Sequence, residues 1–509
     1  MSAGGEASSV EAPRADLSAW IAVAAGTIGA LMATLDTSIV NSSLPTIQGE
    51  IGASGSEGTW ISTAYLVAEI VMIPMAGWLE KVFGLRSFLL AMAVLFTAFS
   101  VMCGVSADLA TMVVGRIGQG FTGGAMIPTA LSIVATRLPP KQQPIGIALF
   151  GMTAVMGPVA GPVLGGWLTE NLSWHYAFFI NVPIGAALAG LLMLGLRHDR
   201  VDWSLLTAAD LPGIAGLALG LGGLTTLLEE GQRERWFESQ FIINLAVMAV
   251  VGFALLILGQ FISKRPVIRL SILLERTFSA VFLLSLMMGA ALYGILYIIP
   301  QFLAYIPGYN AEQAGLVTMI SGIPTLLLLA AFPLLVRVID LRLAIAGGFL
   351  LYAVSCFFDV GVTIDSTGDN FVWPQLLRGV AQFFSMVFLN QAAATSVARE
   401  FAEDASGLFN AARNLGGSIG LAMVGAVQEN RTSFHAARLF EGMSANSLAG
   451  QRAQAQLGLP ILHRMIEGQA LVMAFADLYW VFGVGLCLLV PLAFLLKPLP
   501  KDADLAHLG

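Results

Sequence analysis

The chain has little charge. Of its 509 residues 11% are Asp, Glu, Lys or Arg and 57% are hydrophobic, whereas soluble domains carry about 25% charged residues. That shortage excludes an ordinary water-facing surface. Cysteine is scarce as well. Cys103, Cys356 and Cys487 each lie in an apolar run without metal or redox spacing, so they read as buried thiols. The five histidines are scattered. No phosphate loop, His-Glu-x-x-His or Cys-x-x-Cys marks an enzyme, and no catalytic or metal-binding residues are assigned. No basic stripe is present to hold nucleic acid. About the first 16 residues are polar and acidic. They lack a basic start, an apolar stretch and a small-residue cleavage site in combination, so no removable signal peptide is expected.

Long apolar runs are abundant. Runs of about 20 residues recur down the chain, and each can cross a hydrocarbon core of about 30 Å. In lipid they must be helices, because every backbone polar group needs an internal partner. The 55 glycines suit close helix approach. The expected fold class is an all-α polytopic membrane protein with about fourteen spans, near 18–43, 58–79, 87–106, 109–135, 144–168, 175–196, 208–229, 241–262, 278–304, 312–336, 342–364, 372–397, 406–427 and 470–496. Two six-helix bundles, 18–196 and 278–496, are expected, joined by 197–277 with two additional helices. Residues 1–17 and 497–509 form tails, and 428–469 forms an outer loop with short amphipathic helices.

An even span count puts both termini on one side. With them in the cytoplasm, Lys81, Arg86, Arg137, Lys141, Arg197, Arg200, Lys264, Arg265, Arg269, Arg276, Arg337, Arg342 and Arg399 fall on that side with Arg14, Lys497 and Lys501. Only Arg233, Arg235, Arg431, Arg438, Arg452 and Arg464 face out. The bias of basic residues therefore sets both termini inside the cell.

Ionisable groups within spans are costly and ask for a role. Asp36 in the first span and Arg116 in the fourth both lie about 10 Å below the outer edge, at 1.5 Å per residue. They form either a static packing pair or a proton site. Glu69, midway along the second span, is either a neutral hydrogen-bonded acid or a carrier of protons or cations. Asp359, Arg378 and Asp477 come near the outer face as an expected mixed-charge gating network. Arg413 lies nearer the inner face as a gate candidate. Arg116 with Gln119 is echoed by Arg378 with Gln382 at similar depth, a hint of internal duplication. In the fifth span, Gly157-Pro158-Val-Ala-Gly161-Pro162-Val-Leu-Gly165-Gly166 gives a kinked, smooth helix that a neighbour can slide against.

These strings resemble the major facilitator superfamily, and within it the fourteen-span drug/proton antiporter group of EmrB-like multidrug efflux pumps. The resemblance runs through Leu35-Asp36-Thr-Ser-Ile-Val-Asn41-Ser-Ser-Leu-Pro45, Gly115-Arg116-Ile-Gly-Gln119-Gly120, the fifth-span glycines, Trp174-His-Tyr-Ala-Phe-Phe-Ile-Asn181-Val-Pro183-Ile-Gly185 and Arg413-Asn-Leu-Gly416-Gly417-Ser-Ile-Gly420. It covers about residues 18–496. The loop after the second span, Gly77-Trp-Leu-Glu-Lys81-Val-Phe-Gly84-Leu-Arg86, departs from the superfamily pattern. Lys81 replaces an Asp, as in EmrB-like sequences, while Val82 and Leu85 replace basic residues. Ala148 replaces the first glycine of the antiporter motif.

The resemblance implies alternating access in the inner membrane, with the proton gradient as the energy source and no cofactor. It also implies a periplasmic adaptor protein and an outer-membrane channel as partners. A methionine- and aromatic-rich lining that includes Met32, Tyr65, Met72, Tyr293, Tyr297 and Phe384 suits hydrophobic or amphiphilic small molecules. A major facilitator importer of a metabolite or ion is the main rival expectation. A membrane receptor or enzyme is a remote one.

Overall fold

The computed structural model describes residues 15–53, 55–196, 201–207, 209–442 and 459–497. Arg14, Arg197, Arg200, Arg452 and Lys501, together with most of both tails, lie outside them.

Among the described residues, fourteen long helical segments follow one another, with short helical turns between some of them. In the first half they are α1 (Leu17–Ile51), α2 (Trp60–Phe83), α3 (Leu85–Gly104), α4 (Leu109–Arg137), α5 (Gln143–Asn171) and α6 (Asn181–Gly195). The extra pair is α7 (Leu211–Glu230) and α8 (Gln240–Ile262). The second half comprises α9 (Arg276–Tyr305), α10 (Ala311–Met319 with Gly322–Val338), α11 (Leu341–Asp359), α12, α13 (Ala402–Gly442) and α14 (Leu459–Leu489). The segment α12 runs through Val372–Gln382, a π turn at Phe383–Val387, and Phe388–Thr395.

Aspartates start several of these helices by capping free N–H groups. Asp16 accepts from Ala19 at 2.9 Å, Asp108 from Thr111 at 2.8 Å and Asp210 from Gly213 at 2.9 Å. The Thr111 bonds hold the exposed Asp108 carboxyl below its ordinary pKa. Asp210 also accepts from Ser263 at 2.6 Å, which ties the start of α7 to the end of α8. Small residues set the helix spacing. Gly216, Gly220 and Gly223 of α7 lie against the α8 backbone, and Gly252 of α8 answers them.

Among the described residues, ten helices are long and apolar enough to cross a membrane on their own. The bent α5, with 43° between Gln143–Gly157 and Val159–Asn171, makes an eleventh. The remaining three are α4, α12 and α13, the helices that carry Arg116, Arg378 and Arg413. Buried charge and glycine lower their apolarity, so they rely on neighbours rather than lipid.

The outer loop differs from expectation. Instead of separate short helices, α13 continues to Gly442 and α14 begins at Leu459, so both rods extend past the apolar core. Residues 443–458 lie outside the described set. The halves meet where α2 packs on α13 and where α5 packs on α10. The extra helix α7 touches α2 of one half and α13 of the other. Below, the near end is the one where α1 begins, and the far end is opposite.

Candidate functional site

The first half buries a complete charge centre. Asp36 of α1 and Arg116 of α4 are both 0% exposed and meet at 2.5 Å. Arg116 also donates to the Ile61 carbonyl at 3.0 Å and to Gln119 at 3.0 Å, and lies 4.2 Å from the Tyr65 ring centre. Gln119 donates to Asp36 at 2.9 Å and to Ser100 at 2.8 Å, and Asn181 of α6 donates to Asp36 at 2.6 Å. Two neutral amides and one guanidinium thus surround the carboxylate. Gln119 and Asn181 stand within the motif strings, yet nothing in residue type alone marks them as partners of Asp36. Arg116 keeps one buried nitrogen, Nη2, without a partner.

The glycine-rich helix lies directly on the acid's helix. Gly157 packs on Thr34, Gly161 on Ser38, and Gly165 on Ser42 and the Ile39 carbonyl. A Cβ at Gly157 would sit 2.7 Å from the Thr34 Cβ. Thr34 and Ser38 stand two residues either side of Asp36, so the glycine contacts lie level with the carboxylate but on the opposite face of α1. Pro162 and Gly166 share this helix, but Gly166 faces open space, with nothing within 4 Å of an added Cβ.

Glu69 lies on α2 at 6% exposure, and its backbone is covered by Gly124 of α4. Among the described residues its carboxyl makes no hydrogen bond or ion pair. Arg413 of α13 is 5% exposed, with Nε and Nη1 both lacking a partner.

The second half has its own buried pair. Arg378 of α12 meets Asp359 of α11 at 2.5 Å and donates to Gln375 at 2.8 Å, with the Tyr352 ring 5.9 Å away. Arg378, Gln375, Gln382 and Tyr352 line a small cavity that Val155 and Val159 of α5 close. The expected cluster with Asp477 does not form. Asp477 turns instead to Arg431 at 2.5 Å and His435 at 2.7 Å, because the extended α13 brings those groups beside α14.

At the near end the expected loop 77–86 is helical except at Gly84, and the last turns of α2 carry a latch between the halves. Lys81 pairs with Glu403 of α13 at 2.9 Å, and Gly77 packs on the same glutamate. Gly84 holds φ +76°, a left-handed conformation that suits glycine. Val82 and Leu85 are buried in the apolar core, and Arg86 is half-buried in the first turn of α3. At the far end, two carboxylates missing from the sequence reading tie α7 to both halves. Glu230 accepts from Thr63 of α2 at 3.1 Å and Glu229 from Ser418 of α13 at 2.7 Å.

The cavity candidates divide. Met32 and Tyr65 are fully buried within the first half, and the Tyr65 hydroxyl donates to the Ala33 carbonyl at 3.2 Å. Tyr293 packs on Gly417, Tyr297 is 45% exposed, and Phe384 stacks with Phe388 at 5.8 Å.

A long helical bundle with charge buried on both sides of a central seam defines a polytopic membrane transporter. The Major Facilitator Superfamily model matches residues 26–421. The chain belongs to the major facilitator superfamily, in its EmrB-like branch. The colistin resistance protein EmrB of Acinetobacter baumannii is 33% identical, across 90% of this chain and 93% of that protein. The multidrug export protein EmrB of Escherichia coli is 32% identical, across 92% and 94%. The fatty acid resistance protein FarB of Neisseria gonorrhoeae is 31% identical, across 94% and 96%. The solved structure of the proton:xylose symporter XylE shares the fold at TM-score 0.60 and 15% identity, covering 93% of this chain and 94% of that one.

Proposed function

We propose that this protein exports hydrophobic and amphiphilic drugs in exchange for protons, by alternating access across the inner membrane. The observation that carries the reading is the Asp36 centre: a fully enclosed carboxylate, paired with one arginine and braced by two amides, level with a sliding glycine seam on the opposite face of its helix. Relatives named as multidrug export proteins match over nine-tenths of the chain.

Proton uptake by Asp36 removes its charge pair with Arg116. Arg116 is then free to re-pair as α1 shifts on α5. Glu69 is the second proton-coupling carboxylate, on the seam between halves. The halves 18–196 and 278–496 move as units, with 197–277 as the joint. The Lys81–Glu403 latch governs the near end, which faces the cytoplasm with both termini. Asp359 and Arg378 form a supporting network beside the cavity. Energy comes from the proton gradient, with no cofactor, and the protein is not an enzyme. A periplasmic adaptor and an outer-membrane channel complete the path in this reading, with the extended α13 and α14 as the surface facing them.

The test is a proteoliposome assay with an internal pH dye and a panel of lipophilic compounds. Compound-driven proton movement in the wild type, lost in Asp36→Asn, is expected. Compound binding without any proton movement overturns the coupling. Inward accumulation of a nutrient overturns the direction and favours an importer.

A further inference from the structure

One set of buried polar atoms has no part in the Asp36 centre. On α13, Glu403, Ser406, Asn410 and Arg413 follow at spacings of three, four and three residues, which keeps them on one helix face. Two of the four show where that face points. Glu403 pairs with Lys81 of α2 at 2.9 Å, and Ser406 donates to the Pro128 carbonyl of α4 at 2.7 Å. The face therefore meets the first half. Further along it, Asn410 Oδ1 and Arg413 Nε and Nη1 are buried without hydrogen-bond partners.

The register of α2 against α13 identifies what stands opposite. Gly77 lies on Glu403, and Gly407 lies on Pro74. Continuing these antiparallel pairings brings Glu69 level with Arg413. Tyr293 of α9 packs on Gly417, one turn further along α13. Yet no carboxylate oxygen among the described residues lies within 4.0 Å of the Arg413 nitrogens. Two opposite charges are thus buried on facing helices without an ion pair between them. That arrangement is costly unless a third group sits between them.

We infer that the space between Glu69 and Arg413 receives the polar head of the exported amphiphile, and that this head carries a hydrogen-bond donor beside an acceptor. A primary carboxamide and an undissociated carboxylic acid are its simplest forms. The head's N–H or O–H donates to Glu69, its carbonyl oxygen accepts from Arg413, and the free Asn410 oxygen takes a second N–H. The inference rests on the export reading and names its cargo chemistry. It also supplies a reason for exchange. A proton on Glu69 removes the charge that holds the head's donor, so proton and cargo compete for one carboxyl. The charged and titratable groups around Glu69 are Arg413 on α13, Arg116 on α4, Asp36 on α1, Tyr293 on α9 and Tyr65 one turn back on α2 itself. Glu230 of α7 sits farther out, on Thr63.

The experiment measures binding of two fluorescent amphiphiles with the same tail to the purified full-length protein in lipid nanodiscs. One ends in a primary carboxamide, the other in a dimethylamide that keeps the acceptor and lacks the donor. Because hydrogen bonds to charged groups are the stronger kind, the carboxamide is expected to bind the wild type about tenfold more tightly. Arg413→Gln is expected to weaken both probes, and Glu69→Ala to erase the preference for the carboxamide. Arg413→Lys, which keeps charge and donors, is expected to recover part of the affinity. Equal affinity of the two probes for the wild type overturns the inference without needing any variant. So does a preference that survives both substitutions, or an absence of binding by either probe. Proton flux driven by unrelated drugs then judges the export reading separately.

Discussion

In each half the fourth helix buries an arginine beside a glutamine, and the fifth helix lays glycines on the first. Arg116 sits with Gln119, while Gly157 and Gly161 of α5 rest on Thr34 and Ser38 of α1. Arg378 sits with Gln375, while Gly416 and Gly420 of α13 rest on Leu286 and Ala290 of α9. The acid does not follow the repeat. In the first half it stands on the first helix, midway between the two glycine contacts. The equivalent place between Leu286 and Ala290 is Met288, fully buried. The second-half arginine takes its acid from α11, the third helix. Only in the first half, then, does the helix that bears the glycine seam also carry a member of the ionised pair, on its opposite face. Arg116 therefore pairs with an acid on the helix under the glycines, and Arg378 with an acid on a helix away from them.

The sharpest way to break this comparison is to neutralise each acid in turn. Removing one partner of a buried pair costs about 3–5 kcal/mol, so Asp36→Asn and Asp359→Asn both lower thermal stability. Their transport is expected to differ. Asp36→Asn reduces compound-driven proton movement to background, whereas Asp359→Asn retains most of it per folded molecule. Proton flux normalised to folded protein, measured beside Tm, separates the two. Equal loss of flux in both variants makes the halves functionally alike and removes the asymmetry. Met288→Asp sharpens the same point. It buries an unpaired carboxyl, at a cost of several kcal/mol. Placed in an Asp36→Asn background, it is expected to restore no proton movement.

A smaller effect distinguishes glycines that touch α1 from one that does not. Gly161→Ala drives a methyl into Ser38, and overpacking of this kind costs about 1–3 kcal/mol. Its transport rate is expected to fall several-fold because α5 no longer moves freely over α1. Gly166→Ala meets nothing within 4 Å and is expected to transport as the wild type does. Gly420→Ala in the second half should cost similar stability and less coupling. Matched rates for all three variants in proteoliposomes contradict the sliding seam.

How much of this was legible in the sequence depended on whether a signal was local. The depth of Asp36 and Arg116 was readable because helical rise is constant, and the structure pairs them. The Gly-Pro run announced a smooth helix but did not say which neighbour it touched. Gln119 and Asn181 carry no charge, so burial cost did not flag them. Asp477 was assigned to the wrong partners because no apolarity signal tells that α13 continues as a helix past the membrane, carrying Arg431 and His435 to it. Glu229 and Glu230 close an apolar run, and nothing local marks the partners they find on α2 and α13. The register of α2 on α13, which aligns Glu69 with Arg413, is a tertiary fact that no window of sequence contains.

The smallest expected effect lies at the near-end latch, and it tests whether closure there is set by charge or by packing. Lys81 is 41% and Glu403 20% exposed, and such partly exposed pairs contribute about 0–1 kcal/mol. Lys81→Glu places two carboxylates together, which opposes closure by a similar amount. That shift changes the populations of the closed and open states by a factor of about five or less. Transport should therefore slow modestly, with thermal stability almost unchanged. The double exchange Lys81→Glu with Glu403→Lys is expected to restore the rate, most clearly at low ionic strength, where screening is weakest. If the single and double variants behave alike, closure rests on Gly77 against Glu403 and Gly407 against Pro74. The near end would then be governed by the same close glycine packing as the α1–α5 seam.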